Sequence, residues 1–307
     1  MDHRATTLPM PPGWPARIRA VDSGALTPPV PRLAATVVLL RDSAAGPEAY
    51  LLRRRTSMAF AAGMYAYPGG GVDPRDAEVE TGWAGPTPEE WAHRLGVDVR
   101  TARAVVCAAV RETFEEAGVL LAGPDADSVA APRDWSAERA ALEAHELSFA
   151  EFLRDHGLLL RSDLLGGWAR WITPEFEERR YDTWFFVAAL PAGQLAALEV
   201  GEADRVAWLT PTEAVLGYQE GRFGMLPPTV TVLRELSPVR TAAEALAAAA
   251  DRVLEPVLGR AEVRGDRMTV RWPGYDELTI DGEFPVEPPV GPHSTAGDSG
   301  PRNAGAS

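Results

Sequence analysis

The sequence predicts an α/β fold, on three observations. Strand-like runs of apolar, β-branched and aromatic residues occur at 34–40, 49–53 and 183–188. Helical spacing of apolar residues runs through 105–119 and recurs further along the chain. A Pro-Gly-Gly-Gly run at 68–71 separates the first strands from the first long helix.

Composition narrows the chemistry. The 307 residues allow one large domain or two ordinary ones. The 30 basic and 44 acidic residues leave a net charge of −14, which argues against duplex nucleic acid as a partner. Every basic residue counted there is arginine. With no lysine, a Walker-type phosphate loop and a Schiff base are both excluded. The single cysteine, Cys107, excludes an internal disulfide and a cysteine-metal cluster. No apolar run has the length of a membrane span and no secretory pattern opens the chain, so the expected location is cytoplasmic.

In chain order, residues 1–31 are proline-rich and predict an arm without regular structure. Two strands joined by a turn around 43–47 follow, then Arg53-Arg54-Arg55 and the glycine run. Three glycines after a proline predict an irregular loop that approaches a ligand closely and adopts positive φ. A helix begins near Pro88 and is expected to merge through Gly96 into the long helix ending at Gly118. Residues 137–146 and Phe149–Asp155 predict short amphipathic helices, either a lid or a buttress. Strands are expected at 183–188 and after Gly201-Glu202-Ala203-Asp204, and helices from Thr212, over Pro227–Leu236 and over 242–258. Residues 267–272 and 277–280 predict a small β appendage, and the Pro/Gly/Ser-rich tail is expected to be disordered. Trp171 and Trp184 are read as core, and His93, His145 and His156 are assigned no chemistry.

The long helix breaks a local rule. Ala102, Val106, Ala109, Val110, Thr113 and Ala117 fall on one stripe, and Glu112, Glu115 and Glu116 form an adjoining acidic wedge. Like charges at those spacings repel. They also sit in the last turn, where the helix dipole favours cations. The simplest compensation is a divalent cation, and oxygen-only ligands suit Mg²⁺ or Mn²⁺.

Arg111-Glu112-x-x-Glu115-Glu116-x-Gly118-Val119, after Pro68-Gly69-Gly70-Gly71, resembles the signature of the Nudix hydrolases. One departure stands out. The family's first glutamate corresponds here to Asp76, and residues 77–110 intervene before Arg111 in place of a short gap. Aspartate keeps the charge and shortens the reach. An interrupted box of this kind is similar to the subgroup that includes the peroxisomal coenzyme A diphosphatases of animals.

The resemblance implies a Nudix α/β/α sandwich with a mixed, curved sheet, helical insertions and a small C-terminal appendage. Its expected extent is 32–238, with insertions at about 77–104 and 121–170, an appendage at 239–284 and a tail at 285–307. It also implies metal-dependent hydrolysis of a small-molecule nucleoside-diphosphate substrate, with coenzyme A or acyl-coenzyme A foremost. No nucleic acid or membrane is expected as a partner. Glu112, Glu115 and Glu116 would hold Mg²⁺ or Mn²⁺, Arg111 would orient a glutamate, and Glu112 or else Glu202 would serve as general base. Gly69, Gly70 and Gly71 would offer backbone contacts, and Arg53 and Arg55 would bind substrate phosphate. The alternative is a catalytically silent Nudix-fold module that binds a ligand and regulates.

Overall fold

The computed structural model describes residues 13–55, 62–78, 82–196, 203–265, 267–275 and 278–283. Its elements are α1 (Trp14–Asp22), β1 (Arg32–Ser43), β2 (Gly46–Arg54), β3 (Tyr65–Ala66), β4 (Gly69–Gly71), β5 (Trp83–Ala84), α2 (Pro88–Leu95), α3 (Val99–Ala117) and β6 (Ala122–Gly123). There follow α4 (Ser136–Glu143), α5 (Phe149–Asp155), β7 (Leu159–Arg161), β8 (Leu165–Ile172), β9 (Tyr181–Ala189), β10 (Ala203–Leu209), α6 (Pro211–Gln219), α7 (Pro227–Leu236) and α8 (Ala242–Ala249). β11 (Pro256–Leu258), β12 (Arg260–Arg264), β13 (Arg267–Arg271) and β14 (Ile280–Glu283) close the described chain.

The main sheet runs β10-β2-β1-β9-β8-β11, with β3 on β2 and β4 on β1. It is mixed: β1 pairs parallel with β9 and antiparallel with β2. Side chains alternate across a strand, and both sides of β1 are apolar. Ala35, Val37 and Leu39 face a core with α2 and α3, through Trp91, Leu95, Val106 and Val110. Val38 and Leu40 face the opposite core, with Ala214, Val230, Leu233 and Ala245 from α6, α7 and α8. Helices therefore cover both faces, the expected α/β/α sandwich. No helix among the described residues is long and apolar enough to cross a membrane.

Several local expectations are corrected. Residues 14–22, expected as unstructured arm, form α1, because Pro15 opens a helix whose Ile18 is buried and whose Trp14 meets Phe176 edge-on. The helix from Pro88 does not merge into the next one. Gly96 takes the left-handed conformation at φ 67, and the Asp98 carboxylate starts α3 afresh by accepting the Thr101 N–H at 3.0 Å. The expected helix 242–258 stops at Ala249, ahead of Pro256, and its last residues form β11 beside β8. The second insertion ends before residue 165, because β8 belongs to the main sheet. Only β12–β14 form a separate small sheet at the C-terminal end. The two insertions are joined by a third sheet, in which β7 lies between β5 and β6. The tail from residue 284 lies outside the described residues.

The glycine run is a strand, not an irregular loop. β4 pairs antiparallel with β1 in the register Ala34↔Gly71, Ala35↔Gly70 and Thr36↔Gly69, and none of the three has positive φ. The need for glycine is close approach. A methyl group on Gly69 would lie 2.6 Å from the Ala35 carbonyl oxygen and 2.7 Å from Thr36 Cα, whereas one on Gly71 would meet nothing within 4 Å. Gly69→Ala should therefore lower stability by roughly 1–3 kcal/mol, as overpacking does, while Gly71→Ala melts close to wild type. Thermal melting of both variants checks this, and equal melting temperatures would refute the close-approach account.

Candidate active site

α3 carries the acidic wedge to the mouth of a cleft of about 1080 Å³, whose lining includes Gly69, Gly70, Gly71, Arg111, Glu112, Glu115 and Glu116. The whole apolar stripe is buried, and the wedge beside it is largely buried too: Glu112 is 9% exposed, Glu115 7% and Arg111 7%. Those charges survive burial because each has a partner. Arg111 Nη1 donates to Glu112 Oε1 at 2.8 Å and to Glu115 Oε1 at 3.2 Å. Its Nε and Nη2 each donate to Asp76 at 3.1 Å, and Nη2 also reaches the Gly71 carbonyl at 2.8 Å.

Asp76 thus closes the gap of residues 77–110. It stands in a 3-10 turn, Pro74–Glu78, that follows β4, and it is 2% exposed. Its carboxylate also receives the Asp73 N–H at 2.9 Å. The shorter aspartate suffices because the turn sets its backbone close to α3.

The glycine strand and the helix end are locked together. The Gly69 N–H donates to Glu116 Oε2 at 2.8 Å. A methyl on Gly70 would fall 2.5 Å from Glu112 Oε1, so that carboxylate lies directly on bare backbone. Tyr67 anchors the strand from behind, its hydroxyl donating to the Thr229 carbonyl of α7 at 2.9 Å. The second insertion buttresses α3, with Phe149 and Phe152 packed on Phe114. Arg139 of α4 donates to the Glu115 carbonyl, through Nε at 3.2 Å and Nη2 at 2.5 Å, and so brings a cation to the negative end of the helix. The same insertion also contributes Glu143 and His145 to the cleft lining.

Burial dominates the electrostatics. It pushes the Glu112 carboxyl up to about 7 and raises Glu115 and Asp76, against the pull of Arg111 in each case. Burial also opposes the charge on Arg111, but Glu112, Asp76 and Glu115 outweigh it and hold the guanidinium protonated. At the rim, hydrogen bonds from Arg75 take Asp73 down to about 2.

The donors fit a hard divalent cation, since the carboxylates on the cleft offer only oxygen. Among the described residues no group of three or more His, Cys, Asp or Glu is already placed to hold a metal ion together. Arg111 stands between Glu112 and Glu115, and a cation binding both would loosen its bonds to them. Of the other expected residues, Arg53 donates to both oxygens of Asp204 at 2.7 Å and does not line the cleft. Arg55 follows β2 and is also absent from the lining. Glu202 lies outside the described residues. Trp171 and Trp184 are core, at 3% and 0% exposure. No local signal in the sequence marks Arg32, Arg100 or Tyr181, which also line the cleft. Nor did it flag His145, whose φ of 57 makes it unique among non-glycine described residues in lying at positive φ.

A glycine strand clasped to an acidic helix end, inside an α/β/α sandwich, defines a Nudix domain, and the chain belongs to the Nudix superfamily. Within it, the model of the NUDT19 Nudix domain matches residues 86–236. The acyl-coenzyme A diphosphatase NUDT19 of Xenopus laevis is 29% identical over 146 residues, covering 43% of this chain and 38% of the relative. Its human counterpart is 31% identical over 147 residues, with the same two coverages. The chain thus spans well under half the length of these curated relatives. The crystal structure of a NUDIX hydrolase from Alicyclobacillus acidocaldarius aligns with a TM-score of 0.63 at 28% identity, covering 74% of this chain and 99% of that one.

Removing the Asp76 carboxylate would leave part of a buried guanidinium uncompensated. Asp76→Ala should cost about 3 kcal/mol, the lower end for breaking a buried pair, because Glu112 and Glu115 still hold Arg111. Urea denaturation measures it. A loss below roughly 1 kcal/mol, the scale of an exposed pair, would mean that Asp76 does not brace the helix.

Proposed function

We propose that the protein is a metal-dependent hydrolase of the diphosphate bond in a nucleoside diphosphate joined to a second group, with coenzyme A or an acyl-coenzyme A as the substrate. One observation carries the reading: the glycine strand and the acidic helix end share one cleft, with Glu112 against Gly70 and Glu116 on the Gly69 N–H. The names of the Xenopus and human relatives support the substrate.

Hydrolysis of a phosphoanhydride adds water across the bridging P–O bond and releases two phosphate-ended products. The protein's tasks are to position the diphosphate and to manage its charge. Glu112, Glu115 and Glu116 would hold one or more Mg²⁺ or Mn²⁺ ions, which when bound neutralise phosphate charge and acidify water. Arg111 fixes the Glu112 carboxylate by its 2.8 Å bond and keeps its charge buried among acids. Gly71 has open space where a side chain would stand, which lets substrate approach the strand. Glu112, raised towards neutrality by burial, is the general base in this reading, with Glu202 the second choice. Arg53 drops out as a phosphate ligand, because Asp204 already takes both ends of its guanidinium.

A silent ligand-binding module is favoured by one observation, the three carboxylates that Arg111 already pairs. A screen of diphosphate compounds with Mg²⁺ and Mn²⁺, products identified by mass, separates the two readings: turnover of none of them decides for the module. In the same assay Glu116→Gln should cut kcat by roughly a hundredfold or more, the scale for losing one preorganised group that stabilises charge. Its melting temperature should stay close to wild type, and near-normal turnover would defeat the metal assignment.

Protons and metal compete for Glu112. Its carboxyl is raised to about 7, so it is protonated below that pH and ionised above it, and only the ionised form binds a cation. Mn²⁺ affinity should therefore fall by about tenfold per pH unit below 7 and level off above it. Calorimetric titration at pH 6 and pH 8 reads this directly, and equal affinities would remove Glu112 from the ligand set.

A further inference from the structure

Four arginines line the cleft, Arg32, Arg75, Arg100 and Arg111. Two are committed: Arg111 to Asp76, Glu112 and Glu115, and Arg75 to Asp73 at 2.7 Å. Arg32 and Arg100 are exposed, and neither side chain has an ion-pair or hydrogen-bond partner among the described residues. Acids are not scarce in a chain of net charge −14. Some exposed arginines elsewhere find a glutamate, as Arg222, Arg240 and Arg264 do, and others, such as Arg260 and Arg271, do not; what sets Arg32 and Arg100 apart is their place on the cleft. Two bare guanidinium groups therefore share a cleft with the acidic wedge.

Their placement separates them from the carboxylates. Arg100, Ala104, Arg111 and Glu115 fall on one stripe of α3, which forms part of the cleft lining. At 1.5 Å of rise per residue, Arg100 stands about 18 Å before Glu112 along the helix axis. Arg32 opens β1, two residues before Ala34, the partner of Gly71, and so lies about 7 Å past the end of the glycine strand. Neither is set to touch a diphosphate held by the acidic wedge.

We propose that Arg32 and Arg100 form a second anion subsite, which takes a phosphate monoester of the substrate remote from the diphosphate that is cleaved. The proposal rests on the diphosphatase reading for where the diphosphate lies. The guanidinium fork suits a phosphate bidentately and stays charged at every physiological pH. The substrate class is then a nucleoside diphosphate with a further phosphate on its ribose, as coenzyme A carries, in preference to one without it. No covalent step is added: the subsite selects and orients.

The test uses the full chain and two probes that contain no diphosphate bond, adenosine 3′,5′-bisphosphate and adenosine 5′-monophosphate, titrated by calorimetry. Wild type should bind the bisphosphate at least about tenfold more tightly, the effect of a hydrogen bond to a charged group. The double variant Arg32→Ala, Arg100→Ala should bind the two alike, with an unchanged melting temperature because both side chains are exposed and unpaired. No preference in wild type, or a preference kept in the double variant, overturns the subsite. In the hydrolysis assay, the kcat/KM ratio of coenzyme A to dephospho-coenzyme A should fall towards one in the variant, through KM. If neither compound is hydrolysed while the bisphosphate preference is present and lost on substitution, the diphosphatase reading fails and the subsite stands.

Discussion

The buried guanidinium of Arg111 is the interaction on which the site depends. Asp76, Glu112 and Glu115 converge on it, and the Gly71 carbonyl takes one of its remaining donors. Without that cation, three carboxylates with little exposure would have to be neutralised or exposed. With it, the 3-10 turn, the glycine strand and the last turns of α3 are fastened to one point. A cation brought to the cleft would complete a charge arrangement that the protein already half satisfies on its own.

Arg139 answers the second problem of the acidic helix end. The C-terminal carbonyls of α3 carry partial negative charge, and the three glutamates there add to it. Arg139 meets the Glu115 carbonyl from α4, while Phe149 and Phe152 hold the insertion against Phe114. Residues 121–160 are thereby structural on one side and part of the cleft on the other, where Glu143 and His145 stand. The alternatives of lid and buttress were drawn too sharply for a segment that braces a helix and borders a cavity together.

Much of this is legible in the sequence. The helix end at Gly118, the buried stripe from Ala102 to Ala117 and the strands of the main sheet follow from local periodicity and capping. The conflict of Glu112, Glu115 and Glu116 with helix electrostatics marks the candidate site. What stayed hidden depends on distance in the chain. The pairing of Arg111 with a glutamate is expected from the sequence, whereas the second compensating arginine, Arg139, lies 23 residues beyond Glu116 and carries no local sign of its role. Gly69–Gly71 looked irregular because a strand without side chains has no periodicity to show; its identity comes from pairing with β1. Arg53 looked available because its partner Asp204 arrives on β10, an edge strand that only tertiary structure brings beside β2.

Asp76 meets Arg111 across 34 intervening residues, 77–110, that include α2 and the greater part of α3. Closing a longer loop costs little, about 0.6 kcal/mol for each doubling of its length. The spacing inside the box is therefore almost free to drift, provided both ends return to the same place. A search that insists on fixed intervals between these residues will miss such proteins, whereas one that asks which acid sits beneath the arginine will find them.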